Sequence, residues 1–279
     1  AVSIADLKMV AKKYFTSTKA NIIVVGNEEV VEKLKAFDSD KKIEKLDAFG
    51  NEIKETKAAD IDANTLINRY ALAVTGAKSP KELSKKVKAL KSYIRVSELT
   101  SGQMPFALTS TDYFWAPGNE ASKMEMPGMV LQKSYFDGKS GYNFSMQGGR
   151  EDLKAEELAA KNKATGFIPE LAYQTSGMQF EIKGIETIDN VSCYVLYTND
   201  GQAESYDYYD AATYLKYRSV NIRKVGEETV ETTLTYSDYK MVDGYLFAHQ
   251  FNMNVGKMTL NGVVKSIVVN PKEVLPKDF

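Results

Sequence analysis

The chain has 279 residues, of which 43% are hydrophobic, enough to bury one large core or two smaller ones. Its 36 basic and 37 acidic residues leave a formal charge of −1, which excludes the concentrated positive field that a nucleic-acid backbone requires. One histidine and one cysteine exclude a zinc cluster and a disulfide framework, and no apolar run approaches the roughly 20 residues of a membrane-spanning helix.

The sequence opens as a helix. In "SIADLKMVAKKYF" (3–15), Ser3 and Asp6 form a capping box, and Ile4, Leu7, Val10, Ala11 and Tyr14 make one stripe. "NIIVVGN" (21–27) reads as a buried strand, four aliphatics ending at a Gly-Asn turn. "EEVVEKLKAF" (28–37) follows as a second helix with Val30, Val31, Leu34 and Phe37 inward, and "KKIEKLDAFGNEI" (41–53) as another strand. An αβαβ fragment over 1–55 is the result, too small to stand alone. The polar, aperiodic stretch at 56–62 is the predicted linker, and no signal peptide precedes Ala1.

Residues 63–279 form the predicted second domain. "ANTLINRYALAVTG" (63–76) places Leu66, Ile67, Tyr70 and Val74 on one helical face and stops at Gly76. "SPKELSKKVKAL" (79–90) starts with Ser79 as N-cap, Pro80 at the first helical position and Glu82 closing a capping box. The lysines from 78 to 91 read as a solvated face, with an anionic-surface contact as the alternative. From Lys91 the periodicity becomes alternating, and turn signals such as "SGQ", "APGNE", "DGKSG", "NDG" and "VDG" recur at short intervals. Such spacing predicts a large antiparallel sheet that curls or closes. A single helical stretch interrupts it over 151–173, broken at Thr165-Gly166 and resumed at Pro169. "SYFDGKSGYNF" (134–144) and "DYYDAATYLKY" (207–217) share an aromatic pair, an aspartate, a tight turn and an aromatic strand, which reads as repeated hairpin chemistry.

The search for chemistry yields little. The chain has no Walker-type phosphate loop and no G-x-S-x-G elbow, and "TNDGQAESYDYYD" (198–210) fits an Asp-Gly hairpin better than a cation loop. His249 lies in an aromatic row with Tyr245, Phe247 and Phe251 on one strand face, and no nucleophile or orienting partner can be named for it. Cys193 in "VSCYVLY" reads as a small buried hydrophobe. Nine of ten methionines follow residue 100. Methionine is flexible and polarizable, so this bias fits either a loosely patterned core or a surface for varied apolar partners.

Two resemblances complete the reading. The segment "VSIADLKMVAKKYF…NIIVVGN…DAFGNEI" (2–53) resembles the tail of a pitrilysin/insulinase-type zinc metallopeptidase. That family's H-x-x-E-H helix has no counterpart here, so the resemblance implies no metal ligand and no catalytic residue in this chain, with upstream peptidase domains of a longer parent as partners. "YYDAATYLKYR", "TTLTYSDYKMVDGYLFAHQFNM" and "VVKSIVVNPKEVLPKDF" are similar to the LolA/LolB-like periplasmic lipoprotein carriers. This second likeness implies an α+β fold, a curved antiparallel half-barrel packed on short helices, in a periplasmic or secreted protein. It also implies an apolar ligand, an acyl chain or lipoprotein, on the concave face, without catalysis or cofactor. Phe106, Trp115, Met124, Met126, Met146, Phe167 and Leu171 are the candidate lining residues, each of which reads as plain core before it reads as a ligand contact. The alternative is a structural or substrate-positioning module of a zinc peptidase, binding polypeptide by strand addition.

Overall fold

The computed structural model describes residues 3–14, 23–25, 30–37, 43, 56–226, 228–256, 258–274 and 279. The chain divides into two compact units, Ala1–Ile53 and Lys54–Phe279.

In the first unit, helix α1 spans Ile4–Tyr14 and α2 spans only Val31–Leu34, one turn of the longer helix expected. The α1 cap forms as predicted: Ser3 N–H donates to Asp6 Oδ2 at 2.9 Å and Asp6 N–H donates to Ser3 Oγ at 3.2 Å. The apolar stripes differ from expectation, because Ile4, Leu7 and Phe37 are exposed. Ile23–Val25, expected inside a buried strand, are exposed and belong to no strand. A strand needs a neighbour to satisfy its N–H and C=O groups, and no described residue supplies one here. The rest of that predicted strand, and all of the 41–53 strand except Ile43, lie outside the described residues.

The second unit is the half-barrel. Helix α3 (Ala63–Thr75) begins at Asp62, whose carboxylate accepts from Thr65 N–H at 2.7 Å, and ends at Gly76, left-handed at φ 63°. Helix α4 (Pro80–Ala89) is capped by Ser79 Oγ, which accepts from Glu82 N–H at 3.3 Å. Glu82 reaches back one residue further than a capping box requires, to Lys78 N–H at 2.9 Å.

Strands β1 (Ser92–Thr100), β2 (Leu108–Trp115), β3 (Asn119–Met126), β4 (Met129–Phe136), β5 (Gly141–Ser145) and β6 (Gly149–Asp152) make one meander. Strands β7 (Gln179–Ile188), β8 (Val191–Asn199), β9 (Ala203–Asp210), β10 (Lys216–Val225), β11 (Glu228–Val242), β12 (Tyr245–Val255) and β13 (Met258–Val269) make another. The pairing of β1 with β13 joins them into one antiparallel sheet of 13 strands, with β6 and β7 at its open edges. Helix α3 touches both β12 and β7, five strand steps apart, because the sheet curves around it.

The two sequence echoes do share their turn chemistry. Asp137 Oδ1 accepts from the N–H groups of Lys139 and Ser140, and Asp210 Oδ1 from those of Ala212 and Thr213. Asp200 does the same for Gln202 and Ala203, the Asp-Gly hairpin turn expected there.

One topological consequence matters for function. The chain leaves the sheet at β6, on one edge, and re-enters at β7, on the other, and the connection crosses on the concave face. It does so through α5 (Ala155–Asn162), a 3-10 turn (Pro169–Ala172) and the short α6 (Tyr173–Ser176). Residues 149–152, the start of the predicted helical stretch included, belong to β6 instead.

The predicted linker is not free. Lys57 makes an antiparallel bridge to Ile185 with hydrogen bonds of 2.9 and 2.7 Å, Ala59 and Ile61 pack into the core, and Tyr194 OH donates to Asp60 at 2.7 Å. The strap closes over Gly184, whose φ is +140° and where an added Cβ would lie 2.3 Å from Lys57 O. We expect Gly184→Ala to lower unfolding free energy by about 1–3 kcal/mol through this clash and backbone strain, read by urea denaturation. An unchanged midpoint would mean that the strap is not held there.

Candidate functional site

The pleat decides which side chains face the helices. Tyr93 stacks on Phe114 across β1 and β2 at 5.3 Å and meets Phe167 edge-on at 6.0 Å, so the parity of Tyr93, Arg95, Ser97 and Leu99 is concave. The same parity puts Tyr245, Phe247, His249 and Phe251 of β12 on that side, the aromatic row expected.

The concave face has three zones. Under the helices, Leu66 and Ile67 of α3 pack with Tyr194, Leu196 and Tyr209, while Ala71, Val74, Leu83 and Ile168 form a second cluster. Leu90, Tyr245 and Phe247 form a third, against Tyr93 and Phe167.

A band of polar side chains crosses the middle. Arg95 donates from Nε and Nη2 to Asp112 Oδ2 at 3.0 and 2.9 Å, and both side chains remain about 30% exposed. Ser122 and Ser134 hydrogen-bond at 2.8 Å, as do Asn221 and Ser205. His249 lies in this band with Nδ1 3.0 Å from Phe247 O, a contact within its own strand. Lys216 is the band's most buried cation, 2.7 Å from Glu170 Oε1 and 2.9 Å from Asp207 Oδ2. Burial works against its charge, but Asp207 and Glu170 outweigh that and hold the ammonium well above its ordinary 10.5. Tyr209 OH also donates to Glu170 Oε1 at 3.0 Å, while Glu170 Oε2 is buried with no hydrogen-bond partner.

Toward the hairpin end lies the third zone. Leu99, Leu108 and Leu260 are at most 6% exposed, covered by Met104, Met124, Met126, Leu131, Phe251 and Met253. These residues come from strands and the β1–β2 loop; no described helix contributes to the cover.

The seven sequence candidates therefore separate. Met124 and Met126 sit together in the cluster that no described helix covers, and Phe167 and Leu171 sit together beneath the helices. Trp115 has the opposite pleat parity to Phe114 and lies on the convex face, 6.0 Å from Tyr135. Phe106 and Met146 are exposed on turns, 45% and 52%. Sequence reading missed Met104, Phe251 and Met253; strand alternation from Met124 through the β3–β2–β1–β13–β12 pairings would have found Met253 had the pairing of β1 with β13 been known. Two hollows, of about 490 and 330 Å³, lie at the β6 edge beside Tyr142 and Arg150 and at the β3–β4 turn, where Met126 lines the smaller one. Among the described residues, no group of three or more His, Cys, Asp or Glu is placed to hold a metal.

No family model matches the chain, and no curated protein does. Solved structures do resemble it. A putative outer membrane lipoprotein-sorting protein domain from Vibrio parahaemolyticus is 14% identical, with 67% of this chain and 88% of that one covered and a TM-score of 0.46. A LolA superfamily protein from Nitrosomonas europaea is 10% identical over 78% and 96% of the two chains, with a TM-score of 0.49. A DUF1329 family protein from Desulfovibrio piger is 13% identical over 75% and 94%, with a TM-score of 0.46. The peptidase likeness of residues 2–53 finds no counterpart in these comparisons.

Two predictions follow from the charges and the thiol. Lys216→Met leaves two buried carboxylates without a counter-charge and should lower stability by about 3–5 kcal/mol. Because the folded pKa is raised, the lysine's contribution is present in full below its ordinary 10.5 and fades as pH climbs through the raised value. Chemical denaturation of wild type and variant should give a stability gap that is constant from neutral pH to about the ordinary 10.5 and narrows above it. Cys193 is fully buried and burial pushes its thiol up to about 12, so iodoacetamide should modify it only as fast as the protein unfolds.

Proposed function

We propose that the half-barrel is a non-catalytic binding domain that holds an apolar chain, the acyl chain of a lipid or lipoprotein, on its concave face. The observation that carries this is the cover of the third apolar zone. A core that serves folding alone gains from rigid, branched side chains; here four thioethers and two partly exposed carbon side chains lie over Leu99, Leu108 and Leu260. Unbranched methionines exchange rotamers at little cost, so an entering chain can displace them and keep apolar contact on every side. The adjoining Arg95–Asp112 pair, open to solvent, gives the polar end of such an amphiphile a place to rest.

The sequence resemblance to lipoprotein carriers supports the same ligand class and a periplasmic or secreted setting. A parent peptidase rests on the resemblance of residues 2–53 alone, and the acyl-chain reading does not require one. Polypeptide binding at a sheet edge has less to favour it: β6 offers four residues, and the β7 edge is partly occupied by Lys57.

Native mass spectrometry tests the reading, with a fatty acid, an acylated peptide and the same peptide unacylated. We expect acyl-dependent adducts in the wild type and their loss in Met253→Glu, a variant whose partly exposed position tolerates the charge without unfolding, as checked by circular dichroism. Equal binding of both peptides would point to polypeptide recognition, and adducts unchanged in M253E would move the site elsewhere.

A further inference from the structure

We infer that an in-register row of polar side chains on the concave face, Arg95, Asp112, Ser122, Ser134 and Asn143, selects acyl ligands whose head is uncharged and bears hydroxyl or amide groups over ligands with an ionised head. The inference rests on the acyl-chain reading and names the head group that goes with the chain.

The row follows from strand register. Arg95 lies opposite Asp112, Asp112 opposite Ser122, Ser122 opposite Ser134 and Ser134 opposite Asn143, so each of β1 to β5 contributes one residue of concave parity. At about 4.8 Å between strands the row is roughly 19 Å long, and it runs beside the methionine-covered zone. Its first four residues are half-buried and Asn143 is exposed, so a ligand can reach them.

The ionic groups around the row are already matched. Arg95 holds Asp112, Lys161 of α5 holds Glu120 at the start of β3, and Lys216 lies between Glu170 and Asp207. A carboxylate or phosphate brought here gives up its water and meets cations that carboxylates already hold, and an ammonium meets carboxylates that cations already hold. Either loses affinity. Hydroxyls and amides lose little, because the row offers both halves of their hydrogen bonds. Arg95 spends Nε and Nη2 on Asp112 Oδ2 alone, and no described residue hydrogen-bonds to Arg95 Nη1 or Asp112 Oδ1. A donor thus stands next to an acceptor. In the pair of Ser122 and Ser134 one hydroxyl donates to the other, which keeps its own proton for a further acceptor. Asn143 adds an amide with both functions.

An independent observation marks the junction of head and chain. Two residues along β1 toward Leu99, Ser97 is fully buried and its Oγ has no hydrogen-bond partner among the described residues. An unmet buried hydroxyl is unfavourable. The ester or amide carbonyl that joins an acyl chain to an uncharged head supplies the acceptor it lacks without bringing a charge.

Equilibrium dialysis of the full chain tests the inference, with a monoacylglycerol, the fatty acid and the lysophosphatidic acid of one medium chain length. Each is kept below its micelle concentration at neutral pH, where both acids are ionised. We expect the monoacylglycerol to bind about tenfold or more tighter than either acid. Asp112→Asn leaves Arg95 without its counter-charge, so in this variant, its fold checked by circular dichroism, fatty-acid binding should strengthen and the gap should close. Either acid binding wild type as tightly as the monoacylglycerol, or a folded D112N that keeps the wild-type gap, would overturn the head-group selection and leave the acyl-chain reading standing. The wild-type ranking decides the matter if D112N does not fold. Binding of none of the three would defeat the acyl-chain reading itself, and this inference with it.

Discussion

The concave face is organised by the connection that runs from one edge of the sheet to the other across it. Because the two meanders meet at β1 and β13, the chain between β6 and β7 must travel from one sheet edge to the other, and the sheet curves around what crosses it. At the centre of that crossing stands Glu170, 2% exposed, held by Lys216 and Tyr209 while Asp207 shares the lysine. Two carboxylates around one ammonium are poor stabilisers compared with well-packed aliphatics, since desolvation offsets most of their attraction. What they supply is register: an apolar segment can slide over an apolar sheet, but Glu170 has one position at which its charge is met. Phe167 and Leu171, on either side of it, are thereby fixed in the clusters they join.

That arrangement explains which parts of the fold are legible in the sequence. The hairpins announce themselves because their turn chemistry is local: Asp137, Asp200 and Asp210 each satisfy two nearby N–H groups, and such aspartates are readable as spacing. Helices α3 and α4 are legible for the same reason, through Asp62, Gly76, Ser79 and Pro80. The pairing of β1 with β13 is not, because nothing in "SYIRVSELT" specifies a partner some 170 residues away. Without that pairing, pleat parity could be assigned within a strand but not oriented toward helices or solvent. Its aromatic surroundings alone do not tell Trp115, on the convex face, from its neighbour Phe114, which holds the concave position.

The same limit separates the methionines. Their excess after residue 100 is a compositional signal, and composition cannot say that Met124, Met126 and Met253 share one cluster while Met146 and Met258 stand on turns. Only the strand order brings the first set together and lines the second set up. Local chemistry in this chain thus writes the elements, and one long-range pairing assigns their faces.

The concave face is also not uniformly apolar, and the order of its zones limits what it can hold. A wholly hydrocarbon ligand spanning the face would have to strip water from Arg95, Asp112 and the serines of the middle band without replacing their hydrogen bonds, which is unfavourable for each group left unpaired. A ligand with a polar end meets no such penalty if its chain lies over Leu99 and Leu108 and its head stops at the band. On the far side of the band the helices already fill the curve with Leu66, Ile67 and Val74. The apolar length that no described helix covers is therefore the stretch between the band and the hairpin tips, five or so residues of strand, or roughly 17 Å, and it is filled by methionines, Leu131 and Phe251 that an entering chain would have to displace.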